Sequence, residues 1–128
     1  MSTLDIFVFG SNEQGIHGKG AALCAVKKWG ATKGVGVGIQ GRAYAIPTKS
    51  TPRRTLPLEQ VSAYVADFIE YARSHSNNRF LLSKIGCGLA GFSEQEISPL
   101  LRDAPPNVFL IDEHGEPVFL ARDWASNL

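Results

Sequence analysis

Residues 85–92 read Ile-Gly-Cys-Gly-Leu-Ala-Gly-Phe and directly follow the apolar run Phe80-Leu81-Leu82-Ser83. The glycines at 86, 88 and 91 leave backbone N–H groups uncovered by side chains, so an anion can approach them closely. Ser93-Glu94-Gln95-Glu96 comes next, with the S-x-x-E spacing of a capping box. The turn is therefore expected between a strand end and a helix start. Partial positive charge collects at such a place, and the chemistry it suits is the holding of a phosphate.

A second loop of the same kind runs from Gly10 through Ser11, Asn12, Glu13, Gln14, Gly15, Ile16, His17, Gly18 and Lys19 to Gly20. It lies between the apolar run Ile6-Phe7-Val8-Phe9 and an alanine-rich segment from Ala21 to Trp29. Two strand-loop-helix units of this type would open on one sheet edge, outside the carboxyl ends of the strands, where α/β folds bind ligands. Gly15, Gly18 and Gly20 miss the G-x-G-x-x-G spacing, and no G-K-[ST] closes a P-loop, so simple Rossmann and triphosphatase readings fail. His17 stands inside this loop, where it could donate to a phosphate, transfer a proton near neutral pH, or brace the loop by hydrogen bonding. Ligand contact is the favoured reading. His75 and His114 are assigned no role.

These loops need elements to position them, and the hydrophobic pattern supplies an alternation. Residues 5–9 read as a buried strand, 19–29 as a helix, 43–47 as a short strand and 57–74 as a long amphipathic helix. In the last of these Leu58, Val61, Val65, Phe68 and Ala72 recur at three and four residues, and Pro57 suits a first turn that needs no backbone donor. Residues 79–85 make the next strand, 93–102 a short helix interrupted by Pro99, and 108–111 a further strand. After a turn at His114-Gly115, Val118-Phe119-Leu120 returns as an edge strand. Gly34 to Gly41 alternates glycine with small apolar residues, as an extended segment beneath a ligand or a tightly packed strand would; Gln40 and Gly41 are candidates for the border of the site. Alternating strands and helices imply a largely parallel sheet covered on both faces.

With 128 residues, 44% apolar and 20% charged, the chain is expected to form one globular domain over residues 1–128. Thirteen basic and twelve acidic residues give a net charge of +1, which argues against a dedicated nucleic-acid surface, although Lys49, Arg53 and Arg54 form a local basic cluster. Cys24 on a helix face and Cys87 in a glycine turn suit neither a disulfide framework nor a metal site, and fit a reducing, cytoplasmic setting. No apolar run approaches the length needed to span a bilayer, and no signal segment is apparent at the N-terminus. Neither membrane nor metal nor cofactor is expected.

Taken together, Gly86-Cys87-Gly88-Leu89-Ala90-Gly91-Phe92, the Asn of Phe9-Gly10-Ser11-Asn12, and a glycine loop leading into an alanine helix resemble a macro domain, the ADP-ribose-binding α/β/α module. Tyr44-Ala45-Ile46-Pro47-Thr48-Lys49, followed by a basic loop and Leu58-Glu59-Gln60-Val61, resembles more particularly the branch containing terminal ADP-ribose protein glycohydrolase and the DNA ADP-ribosyl glycohydrolase antitoxins. The likeness covers roughly residues 5–112. It implies a three-layer α/β/α fold with a mixed, largely parallel central sheet. It also implies a ligand, ADP-ribose or a related NAD-derived nucleotide, and an ADP-ribosylated macromolecule as a further partner.

Laid on the residues, the resemblance puts Asn12, beside Gly10 and Ser11, at the distal ribose hydroxyls. The loop from Gly15 and Ile16 to Gly20 and the loop from Ile85 to Gly91, with Leu89 and Ala90, would grip the diphosphate through main-chain N–H groups. Phe92 would lie against the distal ribose or serve as core. Lys49, next to Thr48, corresponds to the catalytic lysine of the branch and could attack the anomeric carbon of an ADP-ribosyl group. The family's adenine-reading G-D-[IL] element is expected to be missing, with Asp5 as a substitute only if the first strand is shifted. An acid near the glycine turn that could assist a lysine is likewise missing, Ala90 and Gly91 standing there, with Glu94 and Glu96 nearest. Two functions follow: an ADP-ribosyl glycohydrolase working through Lys49, or a non-catalytic reader that sequesters an ADP-ribosyl signal, as in a bacterial or phage regulatory system.

Overall fold

The computed structural model describes residues 4–128. Its centre is a seven-stranded, mainly parallel sheet in the order β2-β3-β1-β5-β6-β7, with β4 paired to β3. The strands are β1 (Asp5–Asn12), β2 (Gly38–Gln40), β3 (Ala43–Thr51), β4 (Arg54–Thr55), β5 (Arg79–Leu82), β6 (Val108–Ile111) and β7 (Pro117–Leu120). Strands β3, β1, β5 and β6 run parallel, whereas β2, β4 and β7 join antiparallel. Three helices accompany them: α1 (Gly20–Trp29), α2 (Leu58–Ser74) and the one-turn α3 (Glu94–Ile97). This is the mixed α/β, three-layer arrangement expected from the sequence.

Alternation along the strands divides the core in two. Ile6 and Val8 of β1, Tyr44 and Ile46 of β3 and Phe80 and Leu82 of β5 point to one face, where α2 packs Val61, Val65, Phe68, Ile69 and Ala72 upon them. Phe7 and Phe9, Ala43 and Ala45, and Leu81 point to the other, where α1 contributes Ala22 and Ala25. Both faces of β1 are thus covered, which is why its apolar residues run without interruption. Helix α1 packs its small residues Ala22 and Ala25 over β1 on this face. Burying a side chain such as Phe68 contributes about 2–3 kcal/mol from its removal from water.

The element boundaries differ from the sequence reading in places with clear causes. Strand β1 runs on to Asn12 because it pairs with β3 beyond its apolar stretch, Asn12 standing in register with Lys49, and β3 runs on to Thr51 by pairing with β4, Thr51 opposite Arg54. Ser93 caps α3 as expected: its hydroxyl accepts from the Glu96 N–H at 3.1 Å, and its own N–H donates to the Glu96 carboxylate at 2.9 Å. The helix then tightens into a 3-10 turn over Ser98–Leu101, where Pro99 has no N–H to continue the α pattern. The glycine-alternating stretch ends as the packed edge strand β2, and β4 was not legible in the sequence.

Candidate functional site

The carboxyl ends of β1, β3 and β5 converge at Gly10. A Cβ placed there would stand 3.5 Å from the Gly86 nitrogen and 3.6 Å from the Thr48 hydroxyl, in ordinary contact with both, so the three chain segments meet at this point. Gly86 itself has φ +74, and a Cβ would come within 3.1 Å of Phe92 and 3.2 Å of Ile97. Both glycine loops, together with Thr48 and Lys49, therefore occupy one end of the sheet.

The first loop is built inward. The Asn12 amide donates to the Ile16 carbonyl at 2.9 Å and accepts from the Ile16 N–H at 3.0 Å, closing the chain between them into a ring. Ser11 sends its hydroxyl to the Gly36 carbonyl at 2.6 Å, and Gly15 packs so tightly on Gly34 and Val35 that a Cβ would meet them at 2.4 Å. His17 is 2% exposed. Its Nε2 lies 3.0 Å from the Val35 carbonyl and 3.2 Å from Gln40 Oε1. Both partners accept, since Gln40 Oε1 already receives the Thr32 N–H, so Nε2 carries the proton and donates. Nδ1 is left buried and unbonded among the described residues. His17 is thus a brace tying the loop to residues 32–40, one of the three roles the sequence allowed and not the favoured one.

The structure does not bring every expected residue to the cleft. Gln40 is buried in the His17 brace. Gly41 lies at the opposite end of β3, against Gly30, whose oxygen would be 2.4 Å from a Cβ. Asp5 is likewise at the amino end of β1, in a two-pronged bond with Arg79 at 2.8 and 2.9 Å that holds its carboxyl below the usual range. It lies at the far end of the strand from the glycine loops, where it lines the wall of a groove, with its carboxylate engaged by Arg79.

What remains open is the second half of the first loop. Around Gly18 and Gly20 there is nothing within 4 Å of a Cβ. Helix α1 begins with no side-chain cap and no acidic residue in its first turn. Among the described residues the N–H groups of Gly18, Lys19, Gly20, Ala21 and Ala22 find no acceptor. Uncapped amides at the start of a ten-residue helix are donors of the kind that anions accept from. The second loop is open in the same sense: Gly88 and Gly91 face free space, and Leu89 is 76% exposed. Ile16 projects from the first loop with 52% exposure. By contrast Phe92 and Cys87 are half-buried against the α2-side core. Burial, with Glu94 adding to it, pushes the Cys87 thiol up to about 11, which disfavours the thiolate.

Lys49 is half-buried, with its ammonium donating to the Pro52 carbonyl at 3.2 Å. Its own carbonyl accepts the Glu13 N–H at 2.9 Å. The hairpin it enters is tied to the second loop by Thr55, whose hydroxyl donates to the Ala90 carbonyl at 2.9 Å. Glu13 accepts a hydrogen bond from the Tyr64 hydroxyl of α2. That carboxylate is the chief reason the Tyr64 phenol is harder to ionise than usual.

A groove of about 660 Å³ leads away from the start of α1. Gly20, Ala21 and Cys24 form one wall, Phe7, Leu81 and Ile111 the floor, and Asp112 and Glu113 of the β6–β7 turn a polar rim. No local pattern marks it, since its parts lie about ninety residues apart and only the sheet order joins them. Asp112 is committed to its turn: its carboxylate accepts from the Glu116 and His114 N–H groups and is held below its ordinary pKa, chiefly by the former.

No protein-family model matches the chain, and no curated protein matches it. Solved structures do. A protein of unknown function from Bacteroides thetaiotaomicron is similar with a TM-score of 0.64 and 17% identity, over 88% of this chain and 89% of its own. A macrodomain protein from Streptomyces coelicolor is similar with a TM-score of 0.59 and 16% identity, over 88% of this chain and 90% of its own. The fold is therefore macro-like. Among the described residues no helix is long and apolar enough to cross a membrane.

Proposed function

We propose that this chain binds ADP-ribose or a closely related NAD-derived nucleotide across the carboxyl ends of β1, β3 and β5. The observation that carries the reading is the uncapped amino end of α1, open on one side to the glycine loops and on the other to the 660 Å³ groove. A diphosphate is matched by the free N–H groups of Gly18 to Ala22 on one side and of Gly88 to Ala90 on the other. The apolar floor of Phe7, Leu81 and Ile111 suits the flat nucleobase of the same ligand. The terminal ribose then faces the Asn12, Glu13 and Lys49 end.

Lys49 gives this site its chemical option. As a nucleophile its nitrogen would attack the anomeric carbon of an ADP-ribosyl group on a protein or nucleic acid; the bond to the acceptor breaks and the acceptor leaves with the electron pair and a proton. Water then releases ADP-ribose and restores the lysine. The second reading, a reader without turnover, is favoured by one observation: the Lys49 ammonium is already bonded to the Pro52 carbonyl. Incubation of an ADP-ribosylated protein and an ADP-ribosylated oligonucleotide with the wild-type chain and with Lys49→Ala separates the two. Released ADP-ribose with the wild type alone supports the enzyme; retention of the modified substrate by both, without release, supports the reader.

A further inference from the structure

We propose that Glu13, oriented by Tyr64, is the group that reads the terminal ribose of the bound ligand; this rests on the ADP-ribose reading above and deepens it. The residue expected to meet those hydroxyls is Asn12, but its amide is engaged at both ends with Ile16. Turning it outward would open the loop. Glu13 is the next residue. Its N–H is fixed on the Lys49 carbonyl at 2.9 Å, so its backbone stands beside the only lysine at that end of β3, and its side chain is exposed.

Its carboxylate is held from a distance of 51 residues in sequence by the Tyr64 hydroxyl, which donates to Oε2. Tyr64 in turn packs against the α2-side core, which fixes the hydroxyl in place. Among the described residues no Lys, Arg or His forms an ion pair with Glu13. Oε1 is therefore free to accept. A ribose presents neighbouring hydroxyl donors, and a carboxylate accepts them in charge-assisted bonds stronger than those of a neutral amide.

The same loop also orients the ligand. Its first part carries the Glu13 negative charge, and its last part carries the bare amides of Gly18 to Ala22. A diphosphate is repelled by the former and held by the latter, so the ribose end is sent toward Glu13. Tyr64 acts here as a positioning residue.

The test is calorimetric titration of the wild type, Glu13→Gln, Glu13→Ala and Tyr64→Phe with ADP-ribose and with ADP, which lacks the terminal ribose. Loss of a charge-assisted bond is expected to weaken ADP-ribose about tenfold in both Glu13 variants and about threefold in Tyr64→Phe, while ADP is not weakened in any of them and gains, if anything, from the lost repulsion in the Glu13 variants. Thermal melts of each variant show that the fold is kept. Equal weakening of ADP and ADP-ribose, or no weakening of either, overturns the assignment while the binding site stands. A wild-type chain that binds ADP as tightly as ADP-ribose overturns it too, and one that binds neither ligand removes the underlying reading with it.

Discussion

Asn12 and Lys49 stand in register at the ends of neighbouring parallel strands, yet their polar atoms serve different loops: the Asn12 amide closes on Ile16 and the Lys49 ammonium on Pro52. The pair thus separates architecture from chemistry. Asn12→Ala leaves the Ile16 N–H and carbonyl without partners and is expected to cost about 1–3 kcal/mol of stability, read by denaturant unfolding. Lys49→Ala removes a single bond at the surface and is expected to cost under about 1 kcal/mol while abolishing any release of ADP-ribose. Release at the wild-type rate from Lys49→Ala would exclude the lysine from the reaction.

Two glycines of the second loop are expected to respond in opposite ways. Gly86→Ala puts a methyl at φ +74, against Phe92 at 3.1 Å and Ile97 at 3.2 Å, and should destabilise the fold by about 1–3 kcal/mol. Gly88 lacks a positive φ and faces open space, so Gly88→Ala should change stability by less than about 0.5 kcal/mol yet weaken ligand binding where the methyl enters the cleft. Melting curves and titrations on the two variants check both halves.

His17 is predicted to matter for folding rather than for proton transfer. His17→Ala strips a donor from Val35 and Gln40 and leaves space in the core beside Phe9, whose ring lies 5.2 Å away edge-on. A loss of about 2–3 kcal/mol in chemical unfolding is expected. An unchanged unfolding midpoint would contradict the brace.

Acid should loosen the junction between the second loop and the C-terminal segment. Glu94 accepts from the Trp124 indole at 2.8 Å and pairs with Lys84 at 3.2 Å, and the Trp124 bond is the main reason its pKa lies below the ordinary 4.5. A depressed carboxyl pKa stabilises the fold above the unfolded value, and that contribution disappears as pH falls through the folded one. Glu94→Gln should therefore melt below the wild type at neutral pH, with the gap closing as pH drops below 4.5. A gap that stays constant with pH would contradict this.

Much of the fold was legible because burial imposes periodicity. The Leu58-to-Ala72 stripe marked α2, the uninterrupted run in β1 marked a central strand, and the Ser93–Glu96 box marked the start of α3. The two loops were legible as glycine turns after strands. Sequence could not show which of their polar residues turn inward: Asn12 and His17 look like ligand groups by type, and only the bonds of Asn12 to Ile16 and of His17 to Val35 and Gln40 reveal them as braces. Glu13 passed unnoticed for the opposite reason, since its partner Tyr64 belongs to a helix read only for its apolar face. The groove depends on strand order, which a local pattern does not encode.

The most direct test of the account is titration of the wild type and of Ala21→Glu with ADP-ribose. Ala21 is exposed in the first turn of α1 and lines the groove. A carboxylate there should raise helix stability by about 0.3–1 kcal/mol through the free amides while occupying the place of the diphosphate. The account predicts dissociation constants on the order of micromolar for the wild type, a loss of about thirtyfold or more in Ala21→Glu, and a melting temperature that does not fall. No detectable heat from the wild type at millimolar ADP-ribose, or equal affinity in the two proteins, would contradict it.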